Sequence, residues 1–400
     1  MKKINIVQFL PYFPPHKWGL ETHAKQFWEK YVENSFWNVI NVITSFNQEN
    51  KITDNNKIIF EWKTIWYKEN GVENLIVPSF EIIPNFPMYK IWTKEFKSIE
   101  KYLKTKNIDI VITRTRFFLT SFIWWIFTKK NEIKWVHIEH GSDYVKLSSN
   151  FKNIIAKIYD KIIWKWIFKK VDLLVWVSNA CKNFIQKEFV NRNVEVIYRW
   201  INIKDVIEEE NLKEKFPWKI IIWFVWRLYK WKNVEGLIKA YYELNNKTKE
   251  KIQIIIVWDG EDAEKLKKLD IENKMYFTWW KNFEKALWYQ KQFDIHFHTS
   301  NPWWGLATTV LQAMYLWCFI VATPYEWANE IIENWKNWIL LKYDSVEEIK
   351  RWIIEWINSL NKKEEYAKIN KKIIEEIFNW DKNIRKYYNL FNKILEWKRK

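Results

Sequence analysis

Short apolar runs alternate with longer amphipathic stretches along almost the whole chain. Runs of consecutive apolar residues, largely β-branched and bounded by polar ones, read as strands buried on both faces. They recur at 4–10 (INIVQFL), 38–45 (NVINVITS), 108–114 (IDIVITR), 133–140 (IKWVHIEH), 173–178 (LLVWVS) and 194–198 (VEVIY). Stretches of helical periodicity fill the intervals, and this alternation predicts a parallel sheet with helices on both faces. The pattern stops over 202–217 (NIKDVIEEENLKEKFP), a charged segment that reads as a linker. It resumes at 219–225 (KIIIWFV), 251–258 (KIQIIIVW), 274–279 (KMYFTW), 293–300 (FDIHFHTS) and 319–324 (FIVATP), and closes with an amphipathic helical stretch from Lys363 to Lys400. The expected organisation is two Rossmann-like α/β domains, 1–201 and 218–375, joined by the linker 202–217. A C-terminal helix over 376–400 follows and is expected to cross back to the first domain. Ligands are expected at the carboxyl ends of the strands, in a cleft between the halves.

Composition changes this picture in one respect. The 400 residues include 31 Trp and only 6 Gly, whereas an average chain of this length has roughly 28 Gly. The tryptophans stand where glycine is needed. In FVWRLYKWKN (224–233) an apolar run meets a turn, in VWDG (257–260) a strand ends, and in NWKNWIL (334–340) each indole follows asparagine. Such turns favour a residue that tolerates positive φ and lets a ligand approach the backbone. The expectation is that most tryptophans, among them Trp226, Trp231, Trp258, Trp303, Trp304, Trp327 and Trp338, are glycines encoded by UGA. Some bacterial lineages assign that codon to glycine. Trp380, at helical spacing in the C-terminal stretch, is the expected genuine tryptophan. Taken literally, the composition instead describes an aromatic, basic binder of glycans or nucleic acid.

The remaining bounds are simple. Cys181 and Cys318 lie far apart without a CxxC pattern, which suits a reducing cytoplasm and implies neither disulfides nor a zinc site. The start, MKKINIVQFLPYFPP, reads as a first strand broken by prolines. The longest apolar stretch, Phe117 to Phe127, is too short to span a bilayer. A net charge of +17 points to anionic partners: nucleotide phosphates, a membrane surface or nucleic acid. KIYDKIIWKWIFKK (157–170) reads either as an interfacial helix at the inner face of the membrane or as a solvated helix face.

With tryptophan read as glycine, PPHKWGLETH (14–23), VHIEHGSDY (136–144), LVWVSNA (174–180), IYRWI (197–201), FVWRLYKWKN, VWDG and the long segment 300–333 (SNPWWGLATTVLQAMYLWCFIVATPYEWANEIIE) together resemble the family 4 glycosyltransferases over nearly the whole chain. Those are retaining enzymes of GT-B fold that use nucleotide-activated sugars. The resemblance implies transfer from a UDP- or GDP-sugar to a glycan or lipid-linked acceptor, without a metal or other cofactor and without a nucleic-acid partner, in cell-surface polysaccharide or glycolipid synthesis.

It also implies roles for individual residues. A departing diphosphate gathers negative charge, which guanidinium, ammonium and backbone N–H groups stabilise. By resemblance Arg227 and Lys232 grip the diphosphate, and His140 lies beside the transferred sugar. Trp18 and Gly19 approach the phosphates from the N-terminal domain. Trp226 and the loop Trp303, Trp304, Gly305, Leu306 and Ala307 present backbone amides, the latter at a helix beginning near Thr308. Glu261 and Glu330 match acidic positions flanking the donor pocket. His137 reads as a core residue, and His296 with His298 alternate along one strand without implying a metal site. One departure stands out: the family usually carries two glutamates separated by seven residues, and here Trp304 and Gln312 occupy those positions. Gln312 still offers a hydrogen bond to a ribose hydroxyl. The departure leaves open an inactive glycosyltransferase-like glycan-binding protein, and a sugar-nucleotide epimerase of the same fold remains a further alternative.

Overall fold

In a computed structural model the described residues are all but 1–2, 14–18, 34–36, 47, 49–56, 61–63, 84–85, 146–148, 193, 201–205, 226–231, 258–261, 279–280, 282, 300–306, 325–327, 333–338, 343–344 and 397–400. They form two compact units. One takes the chain up to Trp200 together with the C-terminal stretch from Trp380, and the other is drawn from the residues between.

The first unit is built on strands β1 (Ile4–Leu10), β2 (Trp37–Thr44), β3 (Lys57–Phe60), β4 (Thr64–Glu69), β5 (Val72–Val77), β8 (Ile110–Arg114), β9 (Lys134–Glu139) and β10 (Leu173–Trp176). A separate antiparallel hairpin of β6 (Ser79–Ile83) and β7 (Phe86–Tyr89) stands beside them. The sheet order is β10-β9-β8-β1-β2-β5-β4-β3. From β10 to β5 every pairing is parallel, whereas β4 and β3 join antiparallel. The segment between β2 and β8, expected to be helical, thus departs from the purely parallel pattern. Its strand hydrophobicity is interrupted by Lys and Glu, as suits a sheet edge with a solvated side. The run 194–198, expected as a strand, forms only a single bridge, Val196 to Trp176.

The second unit has six strands, β11 (Ile220–Val225), β12 (Ile252–Val257), β13 (Tyr276–Thr278), β14 (Ile295–His298), β15 (Phe319–Ala322) and β16 (Ile339–Leu340), all parallel in the order β13-β12-β11-β14-β15-β16. In both units the order reverses beside the first strand. The pairs β1/β8 and β11/β14 mark these switch points, outside whose carboxyl ends such sheets bind ligands.

The C-terminal stretch is not one helix. Lys363–Ile377 ends at Phe378, and a second helix, Trp380–Glu396, belongs to the first unit. There Ile384, Tyr387, Phe391 and Ile394 enter one core with Ile4, Ile6 and Ile112 from the sheet and with Phe27 and Tyr31 from the helix Gly19–Glu33. A second core covers the opposite sheet face, with Phe96, Trp124, Phe168 and Ile185 packed on Val7, Val111 and Leu174. Because Phe391 is fully buried, Phe391→Ala should cost about 3–5 kcal/mol by removing transferred area and leaving a cavity. Urea denaturation measures this.

Candidate functional site

At the carboxyl ends of the first sheet, β8 and β9 run directly into polar sequence. Thr113 to Arg116 (TRTR) and His137 to Ser142 (HIEHGS) bring two arginines, two histidines and a glutamate into an almost water-free region. Glu139 is the hub. One carboxylate oxygen, Oε1, accepts from the backbone amides of His140 at 3.0 Å and Gly141 at 2.7 Å and from Arg116 Nη1 at 3.2 Å. The other, Oε2, accepts from the Arg116 backbone amide at 3.1 Å and lies 3.3 Å from His137 Nε2. Burial alone would raise its pKa, but Arg116, His137 and the Gly141 amide together hold it below the usual glutamate range.

Arg116 completes this network. Its Nε donates to Asp160 Oδ2 at 3.0 Å and its Nη1 and Nη2 reach the carbonyls of Gly141 and Asp143. Asp160 is pushed up to about 6, since burial outweighs the attraction of Arg116. A Cβ on Gly141 would meet Arg116 Nη1 and Phe117 Cζ at 2.7 Å, so this genuine glycine is required by close approach rather than by a turn. His137 also meets Thr113 Oγ1 at 2.8 Å and is a buried part of the network.

His140 follows the last residue of β9. Among the described residues neither of its ring nitrogens has a hydrogen-bond partner, and both are buried. Burial first, then the charges of Arg199 and Arg114, depress its pKa far below the ordinary value, so the ring is neutral at pH 7. Gly19 is the first residue of the helix that follows β1.

At the switch point of the second unit, Lys232 lies beyond the end of β11. It is buried, its carbonyl accepts from Thr299 Oγ1 at 3.1 Å, and burial lowers its ammonium pKa to about 7. His296 and His298 share one face of β14. Burial and then Lys232 depress both, His296 to about 3. Among the described residues no cluster of three or more His, Cys, Asp or Glu could hold a metal. Ala307 precedes the helix Thr308–Tyr315; among the described residues no side chain caps it and the buried Thr308 Oγ1 has no partner, and Gln312 is buried in the second turn. Glu330 is half-buried in the short helix Ala328–Ile331. Trp18, Trp226, Arg227, Trp231, Trp258, Glu261, Trp303, Trp304, Gly305, Leu306, Trp327 and Trp338 lie outside the described residues.

Sequence reasoning missed Arg114, Arg116, Glu139 and His23 as site-forming residues. The signal was present in the TRTR run: arginines directly after an apolar β-branched strand must be satisfied inside a parallel sheet, not in solvent.

The chain is 42% identical to an uncharacterized glycosyltransferase of Methanocaldococcus jannaschii, over 99% of this chain and 100% of that one. The family described as glycosyl transferases group 1 matches residues 205–373, and glycosyltransferase family 4 matches 60–205. Similar solved structures include Anabaena HepE in complex with UDP and glucose, at 14% identity and a TM-score of 0.73, covering 98% of this chain and 100% of that one. Sucrose-phosphate synthase from Thermosynechococcus elongatus, at 12% identity with the same coverage, has a TM-score of 0.77. These two likenesses establish the GT-B fold. The chain belongs to the group 1, family 4 glycosyltransferases.

Proposed function

We propose that this glycosyltransferase is a metal-independent, retaining enzyme that takes a sugar from a UDP- or GDP-linked donor to a glycan or lipid-linked acceptor in cell-surface polysaccharide or glycolipid synthesis. The observation that carries the reading is Lys232, an amine buried at the switch point of the second sheet, its carbonyl held by Thr299 just past β14. A low-polarity site makes the protonated amine effective, because charge developing on a departing diphosphate is stabilised there without reorganisation of water. The bound UDP of Anabaena HepE supports a nucleotide donor. In this scheme the leaving phosphate, held by Arg227 and Lys232, takes the acceptor proton on the face it departs from, so configuration is retained. His140, neutral and without a partner, offers a hydrogen bond to the transferred sugar. Gln312 serves the ribose, while the family's other acidic position, at Trp304, has no carboxylate; that difference bears on which sugar is taken.

The donor loops need backbone amides, so the second part of the proposal is that most tryptophans are glycines. Trp218 and Trp317 hold φ of 65°, a left-handed conformation that costs a non-glycine residue about 1–3 kcal/mol. Rings of Phe319 and Trp356 stand perpendicular at 3.4 Å between centroids, and those of Trp223 and Phe293 at 3.9 Å, closer than the ~4.5–7 Å at which such pairs are stable. The buried indole N–H groups of Trp28, Trp176, Trp200, Trp223 and Trp356 have no acceptor. Each such group carries a desolvation cost of roughly 1–3 kcal/mol. Trp380 shares that last property, so packing does not single it out from the others.

The third part concerns location. Over 150–168 a helix, one turn of wider π-helical winding and a further helical turn expose Phe151, Ile154, Ile155, Ile158, Ile162 and Trp166 beside the exposed Lys152, Lys157, Lys161 and Lys165. Phe151 is 72% and Ile162 63% exposed. Among the described residues no helix is long and apolar enough to cross a membrane. Apolar anchors interleaved with lysine fit the plane of an anionic bilayer surface at the cytoplasmic face.

Three measurements check these readings. Transfer from UDP- and GDP-sugars should proceed in EDTA with the donor's anomeric configuration kept, as read from proton couplings of the product. Arg227→Ala should lose about 100- to 1,000-fold in kcat; full activity in that variant, or inhibition by EDTA, would sink the mechanism. The gene should read UGA at Trp218, Trp317 and the seven turn positions, and UGG at Trp380; UGG at most of the nine ends the glycine reading. Vesicles containing phosphatidylglycerol should carry the protein in flotation where phosphatidylcholine alone does not, and serines at Phe151, Ile155 and Ile162 should abolish it. Equal flotation of that variant would place the contact elsewhere.

A further inference from the structure

The switch point of the first sheet holds a second cationic centre, of which the donor reading uses His140 alone. Arg114, the last residue of β8, is wholly buried. Its Nε and Nη2 donate to Gln8 Oε1 at 3.3 and 2.8 Å, its Nη1 lies 3.3 Å from His23 Nδ1, and its guanidinium covers the ring of Phe27 at 4.6 Å. A neutral amide, an imidazole and an aromatic face are its neighbours. No carboxylate among the described residues pairs with it, in contrast to Arg116 two positions on, which has both Glu139 and Asp160.

An uncompensated buried charge is costly and is retained where something else supplies the counter-charge. The surroundings repeat the pattern. His23 Nε2 and both ring nitrogens of His140 are buried without partners among the described residues, and the two rings stand 5.3 Å apart. Arg199 is near enough for its charge to depress both histidines, after burial and alongside Arg114. Buried donors therefore converge at the carboxyl ends of β1, β8 and β9, and among the described residues the one carboxylate there, Glu139, is taken up by Arg116, His137 and two backbone amides. The indole of Trp200 fills the adjoining space, its ring 4.7 Å from that of His23. Read as glycine, position 200 would leave that space open to a ligand.

We infer that Arg114, His23 and His140 bind an anionic group, a phosphate or carboxylate, carried by the acceptor. The assignment of that group to the acceptor rests on the glycosyltransferase reading, whereas anion binding by these side chains stands without it. The chemistry narrows the acceptor to a charged one, such as a phosphorylated lipid or sugar or a uronic acid, in place of a neutral glycan.

The test uses the full chain with Trp200→Gly, labelled at the imidazole nitrogens and titrated with inorganic phosphate, glycerol 1-phosphate, glycerol and UDP. Both phosphates should move the His23 and His140 resonances and raise the melting temperature; glycerol should do neither. Adding Arg114→Gln should weaken phosphate binding roughly tenfold or more. Without phosphate, that variant should melt no lower than its parent, because an unpaired charge has been removed. Unmoved histidine resonances would overturn the inference, as would unchanged phosphate affinity in Arg114→Gln. So would a variant that melts lower or fails to fold, since the protein itself would then compensate the guanidinium. If UDP moves the same resonances and phosphate competes with it, the anion belongs to the donor and the acceptor assignment falls. A chain that binds phosphate here but nowhere binds UDP or GDP keeps this site and loses the donor reading instead.

Discussion

The carboxylate of Glu139 organises the first unit's site. A parallel sheet buried on both faces has to end its strands somewhere, and the amides just past those ends need acceptors that no neighbouring strand supplies. Glu139 supplies two of them, to His140 and Gly141, and fixes the turn that carries the neutral histidine. A carboxylate buried so deeply is tolerable only because Arg116 neutralises it and is itself spread over Asp160 and two carbonyls. The orientation of His140, the need for glycine at 141 and the depressed pKa of Glu139 all follow from that one pairing.

Much of the architecture was legible because its strands are written in uninterrupted β-branched runs. β1, β8, β9, β11, β12, β14 and β15 fall where those runs predict them. What failed was reading edge strands: β4 (TIWYKE) mixes apolar and charged residues, as a partly solvated antiparallel strand should, and falls into a helical interval when the only strand expected is a buried parallel one. The reverse error occurred at 194–198, where an apolar run reaches the sheet's edge beside β10 but makes one bridge only. A run's hydrophobicity reports burial, and burial at an edge is possible without a ladder.

The candidate site divides along a similar line. Lys232 and His140 were expected from motif context, and both lie buried just past strand ends. Arg114 and Arg116 were not, although both stand in TRTR, because nothing local says which of two arginines will meet an acid. Glu139, 23 residues further on, makes that distinction, and it does so only once β8 and β9 lie side by side. The tryptophans add a constraint of another kind: the rings of Phe319 and Trp356 crowd to 3.4 Å, and the indoles of Trp218 and Trp317 stand on left-handed backbone.

The return of the helix Trp380–Glu396 to the first unit bears on how the protein is made. The sheet of the first unit is complete at Trp176, whereas Ile384, Tyr387, Phe391 and Ile394, which cover one of its faces, are translated only after the whole second unit. Asn383, which donates to the Tyr198 carbonyl at 3.2 Å, arrives equally late. The nascent N-terminal half therefore waits with an apolar face unsealed through the synthesis of about half the chain. Ribosome-associated chaperones have their natural substrate during that interval, and a premature stop anywhere in the second unit strands the first one unfinished.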